Sequence, residues 1–545
     1  MLGLLLPVIL TLILLAPWLV PFVLRKCGAL AGWWISTKTD GRRQTLVASS
    51  KAANHEQDKR RSSSSDDGDW EKLDGVSSSR KVESDRSWKG VVGFFHPFCN
   101  AGGGGERVLW AAIRATQLRW PEAVCVVYTG DHDANKTQII TRVQDRFNIT
   151  LNLCTLHFLY LSARHWVLAS SWPRFTLLGQ SIGSIVLALD AFNLLVPDVF
   201  VDTMGYAFSL WLCKFLFPSV PTCAYVHYPT ISTDMLRSLD SEVKEHGINA
   251  GAGKGFKGTT KKAYWKLFAG LYSRVGGSID VVMTNSSWTQ SHIIDLWGPY
   301  RKHKRRVTPN GTGHDISVVF PPVAVEELEA EVEVTAAAEK NRKPHLLYIA
   351  QFRPEKNHSL IVNAFAQLIT SKAWPAADRP KLVLVGSVRD DDDKKRVYKL
   401  RLLAHELQIR NDVEFVCDAS WPQVLDRLRT SSVGVNGMWN EHFGIGVVEY
   451  QAAGLISVVN DSGGPKLDIV VDIDGGATGF HASTAEEYAA AFAKALALGN
   501  LETFAMRQRA RKSATRFTEQ AFAEKWVKNM QTLVTLQKQL RPTKQ

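Results

Sequence analysis

Short uncharged runs followed by helical periodicity recur along most of this chain, and that alternation limits the fold more than any other feature. Gly90–Phe95 (GVVGFF) is apolar throughout, as a strand buried on both faces requires. From Val108 to Trp120 the apolar residues return at helical spacing, and Gly102, Gly103, Gly104 and Gly105 fill the turn between. The succession continues through AVCVVYTG (123–130), SIVLALDAF, DVFVDTMG (198–205) and TCAYVHYP (222–229). After an acidic, Ala-rich link it resumes with HLLYIAQF, KLVLVG (381–386) and VEFV (413–416). Strands alternating with helices pack as parallel sheets covered on both faces, and 545 residues suffice for two such units plus extras. The expected units are residues 89–321 and 322–515, with 516–545 a terminal helix packing back across both. No internal repeat is visible.

The ends of the chain differ from this body. The first 24 residues, MLGLLLPVILTLILLAPWLVPFVL, carry no charge, and Arg25 and Lys26 follow at once. A secretory signal would start basic and have a shorter apolar core, so residues 1–24 read as an uncleaved transmembrane anchor, with a re-entrant or interfacial segment as the alternative left open by Pro7, Pro17 and Pro21. Positive charge after the span puts the remaining chain in the cytosol. Residues 36–88 are dense in Ser, Lys, Arg and Asp and poor in apolar side chains, which predicts a disordered linker. Seven scattered cysteines, none in a CxxC pair, read as reduced thiols. Six sequons, at Asn135, Asn148, Asn285, Asn310, Asn357 and Asn460, should stay bare in the cytosol. A formal net charge of +12 suggests an anionic partner: a phosphorylated substrate, a phospholipid surface or nucleic acid.

Chemistry concentrates at 439–454, WNEHFGIGVVEYQAAG. A helix starting near Gly444 would offer its N–H groups and positive dipole end to a phosphate. Glu449 would then project inward, within reach of a sugar or ribose hydroxyl, with Glu441 before the Phe443-Gly444-Ile445 turn. Gly102–Gly105 would let backbone approach a ligand phosphate in the same way. His227 ends an apolar strand, where open α/β sheets place ligands. The Asp131-His132-Asp133 triplet follows a strand and reads as a loop, not a metal site. RKHKRR (301–306) reads as an anionic lipid or acceptor-pyrophosphate site or as a solvated loop, a nuclear-type signal being at odds with a membrane anchor. YAFSLWLCKFLFPSV (206–220) either touches a bilayer or forms a buried helix.

The Glu441/Glu449 spacing around a glycine turn resembles the Glu-x7-Glu signature of retaining glycosyltransferase family 4, which has the GT-B fold of two Rossmann-like domains facing a cleft. The strings VHYPTISTDML, FTLLGQSIGSI (175–185), PDVFVDTMGYAF (197–208), TNSSWTQSHI (284–293), VVFPPV (318–323), QFRPEKNHSL (351–360) and GGPKLDIV (463–470) resemble one branch of it, the dolichol-linked oligosaccharide α-1,2-mannosyltransferases of the endoplasmic reticulum. The resemblance covers most of 90–530. It implies GDP-mannose as donor and a dolichol-pyrophosphate-linked oligosaccharide as acceptor. It also implies the endoplasmic reticulum membrane as the site, other mannosyltransferases of the pathway as partners, and neither nucleic acid nor a metal cofactor. Glu441 would then contact the donor sugar and Glu449 the ribose, with Phe443, Gly444 and Ile445 at the phosphates. Lys356 stands where the family's diphosphate-binding lysine belongs. The usual Gly-Arg is replaced by Ala350-Gln351, leaving Arg353 as a displaced candidate. The family precedent is front-face displacement with retention, in which the leaving phosphate helps deprotonate the acceptor. Two alternatives remain at this stage: a transferase using a UDP-sugar, and a non-catalytic scaffold subunit.

Overall fold

The computed structural model describes residues 2–63, 87–238, 255–301, 316–371, 375 and 379–541. Two parallel sheets form its core. The first contains β1 (Val91–Phe95), β2 (Val124–Thr129), β3 (Leu156–Tyr160), β4 (Val199–Asp202), β5 (Thr222–Val226), β6 (Val281–Thr284) and β7 (Ile316–Val318), in the order β3-β2-β1-β4-β5-β6-β7. The second contains β8 (Lys343–Ile349), β9 (Lys381–Gly386), β10 (Val413–Cys417), β11 (Ser431–Asn436), β12 (Ile456–Asn460) and β13 (Gly479–Ala482), in the order β10-β9-β8-β11-β12-β13. In β1 the register runs from Val91 opposite Val124 to Phe95 opposite Tyr128. Val91 and Phe95 enter one core layer and Val92 and Phe94 the other, the period of two expected of a strand buried on both faces. The strand order reverses between β1 and β4 and again between β8 and β11, and such switch points leave a crevice beyond the strands' carboxyl ends.

Residues 36–63 correct the expectation of a disordered linker. They complete a single helix, Leu2–Ser63, and residues 2–24 of the expected anchor form its start. A buried stripe made of Gly28, Gly32, Ile35, Thr39 and Ser50 runs along the helix at three- and four-residue multiples, and the helix lies against those at Thr176–Leu194 and Ala207–Leu216. A β-carbon on Gly32 would sit 1.9 Å from the Leu216 carbonyl oxygen, so only glycine permits this approach. Polar anchors follow: Arg43 pairs with Asp198 at 2.5 Å, and Arg42 donates to the Leu194 carbonyl at 2.9 Å. Low apolar content misled because small and polar side chains share the contact with only a few apolar ones, Ile35, Leu46 and Val47. Linker residues 64–86, residues 302–306 of the basic cluster and the sequon at Asn310 lie outside the described residues.

The Ala207–Leu216 helix is mostly buried, with Trp211 on its outer side. The Thr176–Leu194 helix is long and apolar enough to cross a bilayer, yet Leu187, Ala188, Ala191 and Phe192 are sunk in the first domain's core. After the second sheet the chain returns. The Glu519–Leu540 helix packs Phe522, Trp526 and Met530 into the first domain's core, and Trp526 Nε1 donates to Thr116 Oγ1 at 3.1 Å. None of the seven cysteines forms a disulfide among the described residues.

Candidate active site

The two switch points open into one cleft of about 1480 Å³. Gly102–Gly105, Arg107 and His227 line it from the first domain, and Lys356, Glu441, His442, Gly444, Ile445 and Glu449 from the second. The glycine turn leads into the Gly104–Arg119 helix. Glu106 pins it, accepting from the Gly103 N–H at 2.6 Å while facing His96 Nε2 at 3.6 Å. Burial opposes the charge on Glu106, but the His96 ring and the backbone N–H groups hold its carboxyl below the usual range. A β-carbon on Gly104 would lie 2.4 Å from Ile445 Cδ1, so the turn directly abuts the opposite helix start.

His227 follows β5 beneath this turn. Burial, with His96 beside it, lowers its imidazole to about 4, so the ring is neutral at physiological pH. The ring hydrogen-bonds the Thr203 backbone, while Nε2 is buried and without a partner among the described residues. A β-carbon on Gly105 would be 3.7 Å from that nitrogen. Nε2 is thus an unspent acceptor beside the glycine turn.

On the opposite wall Lys356 Nζ donates to Glu441 Oε2 at 2.5 Å, and Asn436 Nδ2 approaches the same oxygen at 3.4 Å. Burial would raise the Glu441 carboxyl, but the ammonium outweighs it and the group stays below its ordinary value. Gly444, at φ 104°, turns the chain into the Ile445–Ala452 helix, which starts where the sequence predicts. Glu449 lacks an ion-pair partner among the described residues. Burial raises its carboxyl to about 7, moderated by Arg107. Phe443 lines the cleft, but its ring packs against Phe320 and Phe517, which leaves its backbone for a ligand.

The structure gathers the glycine turn, His227, Lys356, Glu441 and Glu449 around one space. Arg353 is not part of that lining; it lies 3.7 Å from Glu355. Asp131 is a structural loop residue that accepts from the Asn100 N–H at 2.9 Å and pairs with Arg164. Among the described residues, no group of three or more His, Cys, Asp or Glu side chains is placed to hold a metal ion. Sequence reasoning missed Glu106, visible only as an acid after four glycines, and Gly463-Gly464. The latter pair closes on the Glu441 loop: Gly464 N–H donates to the Glu441 carbonyl at 2.7 Å.

Residues 89–297 match the family model described as ALG11 mannosyltransferase N-terminus, and 331–517 match Glycosyl transferases group 1. A Neurospora crassa protein named GDP-Man:Man(3)GlcNAc(2)-PP-Dol alpha-1,2-mannosyltransferase is 59% identical over 96% of this chain and 95% of its own length. This chain belongs to that family. The human relative of the same name is 43% identical over 81% of the chain and 87% of its own length. Among solved structures, Anabaena Alr3699/HepE in complex with UDP and glucose superposes with a TM-score of 0.52 at 13% identity, covering 81% of this chain and 99% of that one. The α,α-trehalose 6-phosphate synthase of Burkholderia multivorans reaches 0.57 at 14%, covering 82% and 99%. At such identities these two establish the architecture alone, a GT-B glycosyltransferase fold.

Proposed function

We propose that this chain transfers mannose in α-1,2 linkage from GDP-mannose to dolichol-pyrophosphate-linked Man3GlcNAc2, adding the fourth and fifth mannoses on the cytosolic face of the endoplasmic reticulum. The observation that carries this reading is the Lys356–Glu441 pair on the cleft wall, opposite Gly102–Gly105, in a member of that family. Lys356 and the first amides of the Ile445–Ala452 helix meet the charge that grows on the departing diphosphate, without calling on a metal ion. Glu441 positions the mannose hydroxyls, and Glu449 takes the ribose. His227 Nε2 accepts a hydroxyl from the sugar side of the cleft.

The membrane part of the reading is supported by the outer face of the first domain. Leu30, Trp33 and Trp34 on the Leu2–Ser63 helix, Ile182, Trp211, and Leu267 and Leu271 on the Gly255–Gly277 helix are all exposed. They belong to helices that pack side by side, next to the uncharged N-terminal stretch. Exposed tryptophan and leucine beside lysine, here Lys38 over the Trp34 ring at 5.3 Å, suit a bilayer's interfacial zone.

The deciding experiment is mannose transfer from GDP-mannose to lipid-pyrophosphate-linked trimannosyl-chitobiose, comparing the wild type with Glu441→Ala. The wild type should extend the acceptor by α-1,2-mannose, and the variant should lose on the order of 100-fold or more in rate, as when a transition-state electrostatic partner is removed. A folded wild type that binds GDP but transfers nothing to this acceptor would reject the reading.

A further inference from the structure

The loop that carries Glu441 is gripped by the first domain through groups outside the set assigned to the donor. His442 forms a cluster of near-parallel rings with two first-domain side chains, Tyr228 at 4.1 Å and 24° and Trp288 at 5.4 Å and 20°. Tyr228 and Trp288 are themselves 6.1 Å apart at 7°. On one side of this cluster Asn440 Nδ2 donates to Asp234 at 2.8 Å, and Asp234 also faces His292 Nε2 at 3.4 Å. On the other, Ser287 donates to Asp468 through its N–H at 2.8 Å and its hydroxyl at 2.5 Å. Asp468 lies just beyond the Gly463-Gly464 pair that cradles the Glu441 backbone. One short stretch of the first domain, 287–292, therefore holds both segments that shape the catalytic loop of the second.

We propose that His442 is a positioning residue: its stack on Tyr228 and Trp288 couples apposition of the two domains to the placement of Glu441 against Lys356. The proposal rests on the mannosyltransferase reading given above. Its physical basis is the steep dependence of transfer on geometry, where a shift of about 1 Å costs on the order of 100-fold in rate. Burial holds the His442 imidazole at about 4, so the contact is one of neutral ring faces, which another aromatic side chain can supply.

The test uses the full-length enzyme, four single variants (His442→Ala, His442→Asn, His442→Phe and Trp288→Ala) and the double variant that combines His442→Ala with Trp288→Ala. In His442→Ala and His442→Asn, kcat should fall by roughly 10- to 100-fold while the Kd for GDP changes little. His442→Phe should restore most of the loss. Combining His442→Ala with Trp288→Ala should cost little more than either alone, as expected for groups acting as one unit. Small-angle scattering supplies a readout that needs no acceptor: GDP-mannose should compact the wild type and His442→Phe more than His442→Ala or His442→Asn. Loss of GDP affinity in parallel with rate would make His442 a donor contact and overturn the proposal. So would a His442→Phe as slow as His442→Ala, which would assign chemistry to the imidazole itself. If the wild type compacts in this ring-dependent way yet transfers no mannose, the coupling stands and the substrate reading fails. If it transfers and all four variants match it, the coupling fails alone.

Discussion

Glu449 shows how far the cleft bends ordinary chemistry at the scale of one residue. Burial raises its carboxyl from 4.5 to about 7. Between those values the folded state holds a proton that the unfolded state has released, so this group's contribution to stability declines as pH rises and levels off above about 7. The gap corresponds to about 3 kcal/mol at most. Glu449→Gln should therefore unfold less readily than the wild type above pH 7, with a shallower loss of stability from about 4.5 to 7, measured by urea titration across that window. The slope should shrink without vanishing, because burial also raises Asp202 to about 7. Gly464 is a second single-residue constraint. A β-carbon there would lie 2.6 Å from Phe443 Cα and 2.7 Å from the His442 carbonyl oxygen. Gly464→Ala must displace the backbone beside Glu441, which should cost about 1–3 kcal/mol of stability and lower kcat on the order of 100-fold; transfer assays and thermal unfolding on the same preparation check both. Glu441, Glu449 and His227 could be placed in the cleft from the strand ends and glycine turn beside them, whereas Lys356 was singled out only by its match to the family's diphosphate-binding lysine. Gly464 and His442 were in plain view too, but their roles depend on partners 20 to more than 200 positions away, which local pattern does not encode.

At the scale of elements, the alternation of strands and helices was readable because parallel strands buried on both faces need uninterrupted apolar runs. The Leu2–Ser63 helix escaped the same logic. Its docked half presents glycine, threonine and serine to the domain beside only Ile35, Leu46 and Val47, and composition counts such a stretch as linker-like. Arg43 adds a charged anchor: Asp198 also pairs with Arg541 at 3.1 Å and accepts from the Val91 N–H at 2.8 Å, tying the N-terminal helix, β1 and the chain's last helix to one carboxylate. The decisive contact is the one at Gly32. Gly32→Leu should push the helix off the Leu216 carbonyl, speeding amide exchange along residues 28–54 and costing about 1–3 kcal/mol. Exchange that rises only within a turn of the substitution would mean the helix is held chiefly by its polar anchors.

At the scale of the whole molecule, a helix continuous from the uncharged N-terminal stretch into a docked stripe does more than tether. It joins that stretch to the first domain through unbroken helix. Trp211 stacks on Phe215 at 5.5 Å, and Phe215 lies beneath Gly28, so the apolar outer face begins where the helix enters the domain. Leu267 and Leu271 extend that face one helix further, alongside Phe268, which stacks on Phe208 at 6.2 Å. If this face rests in a bilayer, charge placed there should impair transfer only when the acceptor is in the bilayer too. Burying a leucine side chain is worth roughly 1.5–3 kcal/mol, so Leu267→Glu with Leu271→Glu should slow transfer to a lipid-linked acceptor in vesicles by about tenfold or more. With a short-chain, water-soluble acceptor the double variant should match the wild type, because the cleft and both domain cores are untouched. Equal slowing on both acceptors would mean that the substitutions disturb the fold, and no slowing on either would free this face from the membrane.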